Sequence, residues 1–281
     1  MRRLRRAARL ALALMLVAWP ALAKPARVVS TNLCADQLAL WLAEPDRLLS
    51  VSYLSADAEL SYFADRVGLR PLNRGLSEEV MAFKPDLVLA GEFQARASSR
   101  WLRRQGIAVI ELGIADSLAV ALSQLRQVGQ ALGERARAEA AALELAAIAA
   151  LPETTADAPR ALVLRPNGYS AGAGSLGDEL LRRAGLANAA RELRLPAFAL
   201  LSLEQIALLS PALIVLDRQE LRGGSLAERL LRHRALRLTP GETAALALPS
   251  RLWICPSPGL GEAVERLAAA ARAIANGPIL R

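Results

Sequence analysis

Two stretches of the chain, residues 76–89 and 203–215, repeat one pattern of a short helix, a proline and an apolar strand. The two copies align on Pro85 and Pro211, an offset of 126 residues. A proline disfavours helical backbone in the residue before it, so each helix is expected to end there and the apolar run beyond it to form a strand. The repeat predicts two similar lobes.

Strand-like and helix-like segments alternate on both sides of a long helical stretch. Predicted strands cover residues 27–30, 48–53, 86–90, 107–112, 160–164, 213–216 and 251–255, and predicted helices cover 35–43, 78–83, 98–105, 176–184, 203–209, 226–232 and 262–275. This alternation favours βαβ units and parallel sheets, which is an α/β fold. Residues 118–150 contain no proline and predict two helices, the second over 134–150. We therefore predict an N-terminal lobe over 24–116, a helical connection over 117–158 and a C-terminal lobe over 159–281.

The first 23 residues have the features of a secretory signal peptide. Five arginines precede a short apolar run over 10–19, and Ala21-Leu22-Ala23 is a small-x-small cleavage site. The alternative, a membrane anchor, needs a longer apolar stretch, and the absence of cysteine at the cleavage site argues against a lipid anchor. Removal of residues 1–23 lowers the net charge from +8 to +3. We predict an exported, periplasmic protein whose basicity is mainly a targeting signal and not a footprint for nucleic acid.

The chain has two cysteines, Cys34 and Cys255. In an exported protein two cysteines favour one disulfide, and two free thiols are the alternative. The lone histidine, His233, stands between two arginines and is expected to be solvated. With one histidine and two distant cysteines, the sequence predicts no closed zinc site.

The order of several motifs resembles the periplasmic binding proteins for vitamin B12, ferric siderophores and haem. The resemblance is carried by Arg27-Val28-Val29-Ser30, Lys84-Pro85-Asp86-Leu87-Val88 and Ser170-Ala171-Gly172, and it covers nearly all of residues 27–275. These proteins are the helical-backbone, class III solute-binding proteins of ABC importers. The resemblance implies two α/β lobes joined by one long rigid helix, with the ligand in a cleft between them. Residues 134–150 are our candidate for that helix.

The resemblance also implies a set of ligand-binding residues. Tyr53 and Tyr169 lie near positions where aromatic side chains hold the corrin in B12 binders, whereas Asn73 and Gly91 stand where tryptophans would be. Cleft arginines suit anionic siderophores or haem propionates. The predicted ligand-binding set is Tyr53, Arg74, Phe93, Arg165, Tyr169, Arg218 and Trp253. Surface solvation is the alternative for the arginines, and core packing is the alternative for Trp253.

Glu78 and Glu204 lie seven residues before the proline in the two copies of the repeat. One interpretation is local: an acidic side chain at a helix N-terminus stabilises the helix by about 0.3–1 kcal/mol through its interaction with the macrodipole. The resemblance implies another: in this family one acidic residue on each lobe pairs with arginines of the two permease subunits. The implied partner is therefore the membrane permease dimer of an ABC transporter, bound by a monomer that neither inserts into the membrane nor binds nucleic acid.

The two cysteines are expected near the cleft or hinge, because loops beyond strand carboxyl ends line the crevice of α/β sheets. A Cys34–Cys255 bond there would tie the lobes together and limit their opening. Closing so long a loop contributes about 4–5 kcal/mol in the chain-entropy model.

The sequence contains no recognisable catalytic constellation. It lacks a Gly-x-Ser-x-Gly elbow and a phosphate-binding loop, and the turn Gly172-Ala173-Gly174-Ser175 is either an anion cradle or an ordinary strand–helix turn. We predict a binding protein and not an enzyme, with no resident cofactor or metal, whose ligand is a cobalt corrinoid or an iron chelate. The alternatives are an exported two-lobed enzyme, a sensor subunit without a transport role, and a binder of free metal ions, which would need several histidine and carboxylate ligands.

Overall fold

Most of the strands form two parallel sheets, one of five strands and one of four. The computed structural model describes residues 24–92, 96–154, 157–194, 196–218 and 243–277. The first sheet has the order β3-β2-β1-β4-β5 and the second the order β8-β6-β10-β11, with every pairing parallel. The strands of the first sheet are β1 (Val28–Ser30), β2 (Leu48–Ser52), β3 (Leu72–Asn73), β4 (Leu87–Gly91) and β5 (Ala108–Leu112). Those of the second are β6 (Arg160–Leu164), β8 (Ala187–Asn188), β10 (Leu213–Arg218) and β11 (Ala244–Pro249).

Helices cover the sheets and connect them, and two more strands form a separate pair. The helices are α1 (Leu33–Leu42), α2 (Ala64–Val67), α3 (Ser77–Met81), α4 (Arg96–Arg104), α5 (Leu118–Leu132), α6 (Arg135–Ala149), α7 (Leu176–Arg183), α8 (Leu203–Leu209) and α9 (Gly259–Ala275). Strands β7 (Tyr169–Ala171) and β9 (Phe198–Leu200) pair antiparallel beside the second sheet. The first lobe is built on the first sheet and the second lobe on the second, which confirms the predicted α/β class.

The sequence repeat is also a structural repeat. Lys84 and Ser210, each directly before the proline, both have positive φ, 44° and 39°. In the helices they terminate, Val80 and Ile206 occupy matching positions and are both fully buried. Because the same backbone reversal and the same buried contact occur in both copies, each proline sends the chain into a central strand of its own sheet.

Helix α6 connects the lobes, as predicted for residues 134–150. Glu134, at its start, accepts hydrogen bonds from Lys24 Nζ (2.9 Å) and from Arg47, both of the first lobe. Near its end, the carbonyl oxygen of Leu151 accepts a hydrogen bond from Arg183 of α7 (2.6 Å). Fifteen residues of helix span about 22 Å. The main apolar core runs through α1, α5, α6, α7 and α9 and therefore belongs to both lobes.

The last predicted strand is wrong. Residues Ser250–Leu252 form a 3₁₀ turn, and the strand is Ala244–Pro249 instead. Leu252, Trp253 and Cys255 are buried, and an apolar pattern alone does not distinguish a buried turn from a buried strand. The helix predicted over 226–232, the signal peptide, Phe93 and His233 lie outside the described residues. The predicted lobe boundaries stay predictions.

Within the described parts of the chain, none of the helices combines the length and the apolar character needed to cross a membrane.

Candidate ligand-binding cleft

Both predicted tyrosines stand at the carboxyl edge of a parallel sheet, where α/β proteins bind ligands. Tyr53 begins the 3₁₀ turn directly after β2 and is 52% exposed. Tyr169 begins β7, which follows β6 after the turn Pro166–Gly168, and is 45% exposed. Each lobe therefore presents an exposed tyrosine at the edge of its sheet.

Tyr53 is paired with Arg74, another predicted ligand-binding residue. The guanidinium carbon of Arg74 lies 5.8 Å from the centroid of the Tyr53 ring, within the range of a cation–π contact. The Arg74 amide donates to the carboxylate of Glu79 (2.6 Å), which fixes the backbone of this turn. The first lobe thus offers a joined aromatic and cationic surface.

Asn73 and Gly91 have structural roles that account for the absence of tryptophans there. The Asn73 amide donates to the Ser30 carbonyl and to the Ser50 hydroxyl, both at 2.8 Å, and the residue is buried. A Cβ at Gly91 would lie 2.6 Å from Nδ2 of Asn32. Neither position has room for a large aromatic side chain.

The second lobe presents an apolar surface that sequence reasoning missed in part. In the β7–β9 pair, Tyr169 lies opposite Leu200 and Ala171 lies opposite Phe198, while Ser170 and Ala199 face inward. Tyr169, Phe198 and Leu200 are 45–57% exposed on one face; we call these three residues the β7–β9 face. The signal was the alternation of small and large apolar residues over 197–200, which is the period of a strand with two unlike faces.

Trp253 belongs to the core and not to the exposed surface of the cleft. It is 2% exposed, within the main apolar cluster, which favours the core-packing alternative, and its role in ligand binding stays a prediction. The guanidinium carbon of the half-buried Arg165 lies 5.6 Å from the centroid of the tryptophan ring, within the range of a cation–π contact. Arg218 is the last residue of β10, at the carboxyl edge of the second sheet.

The glycine-rich turn before α7 uses its polar groups internally. The Ser175 hydroxyl donates to the Gly172 carbonyl (2.8 Å) and accepts from the Asp178 amide (3.1 Å). The Gly174 amide donates to the Asp178 carboxylate (3.2 Å). The turn is therefore an ordinary strand–helix connection with a capping serine.

Glu78 and Glu204 are exposed on α3 and α8, the two helices of the repeat. Among the residues that the structure describes, neither carboxylate forms an ion pair. A hydrogen bond from Ser202 lowers the pKa of Glu204 below its ordinary value of 4.5, so this side chain is negatively charged at neutral pH. Both residues are available to a partner.

Cys34 and Cys255 form the predicted disulfide, 221 residues apart in the chain and with Cα atoms 5.0 Å apart. Cys34 lies in the first turn of α1, and Cys255 lies in the turn between β11 and α9. Beside it, the Arg251 amide donates to the Glu59 carbonyl (3.1 Å), a second bond between the lobes. The two cysteines and this backbone bond form a seam across the lobes, which we call the interlobe seam.

Two parallel α/β lobes, a connecting helix and exposed aromatic residues at the carboxyl edges of both sheets are the architecture of a two-lobed binding protein. Residues 28–241 match the family model described as periplasmic binding protein, and the chain belongs to that family.

Three comparisons indicate the range of its relatives. A cobalamin-binding protein of Halobacterium salinarum is 30% identical over 178 residues, 60% of this chain and 47% of that protein, so the chain spans about half the length of the curated relatives it matches. A periplasmic haem-binding protein from Pseudomonas aeruginosa is similar at a TM-score of 0.68 with 25% identity, over 92% of this chain and 95% of that one. The vitamin B12 binding protein BtuF of Vibrio cholerae is similar at a TM-score of 0.66 with 17% identity, over 90% of this chain and 99% of that one.

Proposed function

We propose that this chain is the periplasmic substrate-binding protein of an ABC importer, and that it captures a metal chelate, either cobalamin or an iron chelate such as haem or a ferric siderophore. The observation that carries the proposal is the pair of exposed surfaces at the carboxyl edges of the two sheets. Tyr53 and Arg74 form one surface, and the β7–β9 face forms the other. Exposed, contiguous apolar side chains at such an edge are typical of a ligand site.

The chemistry of the two surfaces favours a large ligand with a flat, partly apolar ring system and acidic groups at its edge. Aromatic and aliphatic side chains pack against such a ring, and stacked aromatic contacts add about 0.5–1.5 kcal/mol beyond the buried area. Guanidinium groups form strong hydrogen bonds to carboxylates and phosphates, which suits Arg74 and Arg165 to propionate or phosphate groups. The relatives described above include a cobalamin-binding protein and a haem-binding protein, which supports this class of ligand.

Delivery requires a docking surface, and Glu78 and Glu204 supply one charge on each lobe. Exposed ion pairs are individually weak, but complementary charges set orientation and association rate. Two glutamates on repeated helices suit a dimeric permease that presents the same arginine-bearing surface twice. The contact is expected to be reversible, because exposed ion pairs are individually weak.

Capture in this protein is expected to involve only a modest movement of the lobes. Helix α6 and the interlobe seam join the lobes at separate places along the chain, and part of the core is common to both. A cleft that is largely formed before binding loses less conformational entropy when the ligand enters.

The proposal is tested by thermal unfolding of residues 24–281 with cyanocobalamin, haemin and a panel of ferric siderophores. A ligand that binds only the folded state raises the melting temperature as its concentration passes the Kd. One chelate is expected to raise the melting temperature, and less so in an Arg74→Ala variant. No shift with any chelate would contradict the ligand class, and an equal shift in the variant would remove Arg74 from the site.

A further inference from the structure

A buried carboxylate lies beneath the turn that carries Tyr53. Asp36, on α1, is fully buried. Its Oδ2 accepts hydrogen bonds from the Ser52 amide (3.1 Å), from the Ser52 hydroxyl and from the Ser55 hydroxyl (2.6 Å). Ser52 and Ser55 stand on either side of Tyr53 in the chain, so one side chain of the interior holds both ends of the segment that presents the tyrosine.

The cost of this arrangement indicates that it serves a purpose other than stability. Removing a carboxylate from water is expensive, and an apolar side chain of similar volume is often neutral or stabilising at such a position. The carboxylate instead fixes the local backbone, because three donors from Ser52 and Ser55 bond to one of its oxygens. Tyr53 itself is half exposed and is not held by packing in the core, so its position depends on the backbone of the 3₁₀ turn Tyr53–Ala56.

The second lobe also has a buried aspartate that bonds to the turn after a strand, at the corresponding place in its sheet. Asp178 is buried on α7, which follows the first strand of the second sheet as α1 follows that of the first. Its carboxylate accepts from the Asn188 amide (3.0 Å) and from Arg191 (2.7 Å). Asn188 ends β8, the counterpart of β2, and Arg191 lies in the turn after it. In both lobes, a buried aspartate of the first helix holds the turn after the second strand.

We propose that Asp36 is a positioning residue of the ligand site: through Ser52 and Ser55 it holds Tyr53, with Arg74 stacked on its ring, at the edge of the cleft. The inference rests on the proposed function in that Tyr53 contacts the ligand. The position of Tyr53 is measurable without any ligand, which separates the two claims.

Ser55→Ala and Ser61→Ala form a matched pair of variants. Ser61 is also buried, and its hydroxyl accepts from the side chain of Gln37, the neighbour of Asp36 on α1 (2.9 Å). Each variant removes one buried hydroxyl from a partner on the same helix. Of these two serines, only Ser55 bonds to Asp36, whereas Ser61 lies next to Tyr62 in the chain.

The chain has three tyrosines, so labelling with 3-fluorotyrosine gives three ¹⁹F signals, and Tyr53→Phe assigns one of them. The signal of Tyr53 is expected to shift or broaden in Ser55→Ala and to stay in place in Ser61→Ala, with Tyr169 unaffected in both. An unchanged Tyr53 signal in Ser55→Ala would overturn the proposal, whether or not any chelate binds.

Affinity for the chelate that stabilises the wild-type protein provides the second readout. Ser55→Ala is expected to weaken binding about 5- to 10-fold, the loss of one net buried hydrogen bond, and Ser61→Ala to leave it within about 2-fold. In a Tyr53→Ala background, Ser55→Ala is expected to cause no further loss, since Asp36 acts through the tyrosine. Asp36→Asn, which keeps an acceptor oxygen, is expected to retain more affinity than Asp36→Ala. An equal loss with and without Tyr53 would contradict the positioning role. If no chelate binds the wild-type protein while the Tyr53 signal still moves, the proposed function fails and the role of Asp36 in placing Tyr53 stands.

Discussion

Tyr62 of the first lobe lies directly over Gly259, the first residue of α9 in the second lobe. A Cβ at Gly259 would come within 2.9 Å of the tyrosine Cδ2 and within 3.0 Å of the Leu252 backbone. Tyr62 is itself anchored, because its amide donates to the Gln37 side chain (3.0 Å). This contact adds to the interlobe seam, so the two lobes meet through close packing as well as through the disulfide.

Gly259→Ala is expected to destabilise the protein by about 1–3 kcal/mol, because the added methyl meets backbone atoms that cannot yield without moving the turn. Gly261→Ala, two residues further along α9, is the control, since a Cβ there would meet nothing within 4 Å. That control is expected to be neutral or stabilising, because alanine favours helix over glycine. Urea unfolding of both variants measures the difference, and equal stabilities would show that the seam tolerates the methyl group.

Loss of the disulfide is expected to lower stability by up to about 5 kcal/mol in the chain-entropy model, because the bond closes a loop of some 220 residues. Cys34→Ser/Cys255→Ser and the reduced wild-type protein are expected to unfold at similar, lower temperatures. Alkylation followed by mass measurement checks the bond itself. Two accessible thiols in the absence of reductant would contradict the structure.

Glu134 links the start of α6 to the first lobe, and its contribution is expected to depend on pH. Burial alone would raise the pKa of Glu134, but the hydrogen bond and charge of Lys24, with Arg137 and Arg47 nearby, hold it below its ordinary value of 4.5. A carboxyl group whose pKa is lower in the folded state stabilises the protein fully at a pH above its pKa in the unfolded state. That stabilisation is lost as the pH falls through its pKa in the folded state.

Glu134→Gln is therefore expected to lower the free energy of unfolding at neutral pH by about 1–3 kcal/mol, the range for hydrogen bonds to charged groups. The difference from wild type is expected to shrink below about pH 4.5. Glu139→Gln, which removes an exposed pair with Arg126, is the control and is expected to have a smaller effect. A difference that does not change with pH would mean that Glu134 acts through packing alone.

Glu78→Ala/Glu204→Ala is expected to abolish uptake by the cognate permease and to leave chelate affinity and melting temperature unchanged. The physical reason is that both carboxylates are exposed on helices α3 and α8 and neither belongs to the two surfaces proposed to hold the chelate. Glu265→Ala, an exposed charge on α9, is the control and is expected to retain uptake. Transport into cells or proteoliposomes measures the effect. Loss of chelate binding in the double variant would contradict this division of roles.

Much of the architecture was predictable from local patterns, and the reasons are visible in particular residues. Pro85 and Pro211 mark the repeat, and the chain turns into its central strands at both prolines because the residue before a proline rarely continues a helix. The break between α5 and α6 falls at Gly133, which has φ of 73° and ends α5.

The parts that were missed depend on tertiary packing. Trp253 is of a residue type common in ligand sites, but in the folded chain its side chain is only 2% exposed. Phe198 and Leu200 are ordinary apolar residues whose exposure follows only from the pairing of β9 with β7. Asp36 carries no local signal of burial, because its partners Ser52 and Ser55 lie on a different element.

Binding of cyanocobalamin and haemin to residues 24–281, by fluorescence titration of the wild-type protein and of Tyr53→Ala/Phe198→Ala, tests most directly whether the two exposed surfaces form one chelate site. We predict saturable one-to-one binding of one chelate by the wild-type protein. Because one aromatic contact is lost on each lobe, we predict at least about 10-fold weaker binding by the variant at an unchanged melting temperature. Equal affinity of the two proteins, or no binding of either chelate by the wild type, would contradict the account.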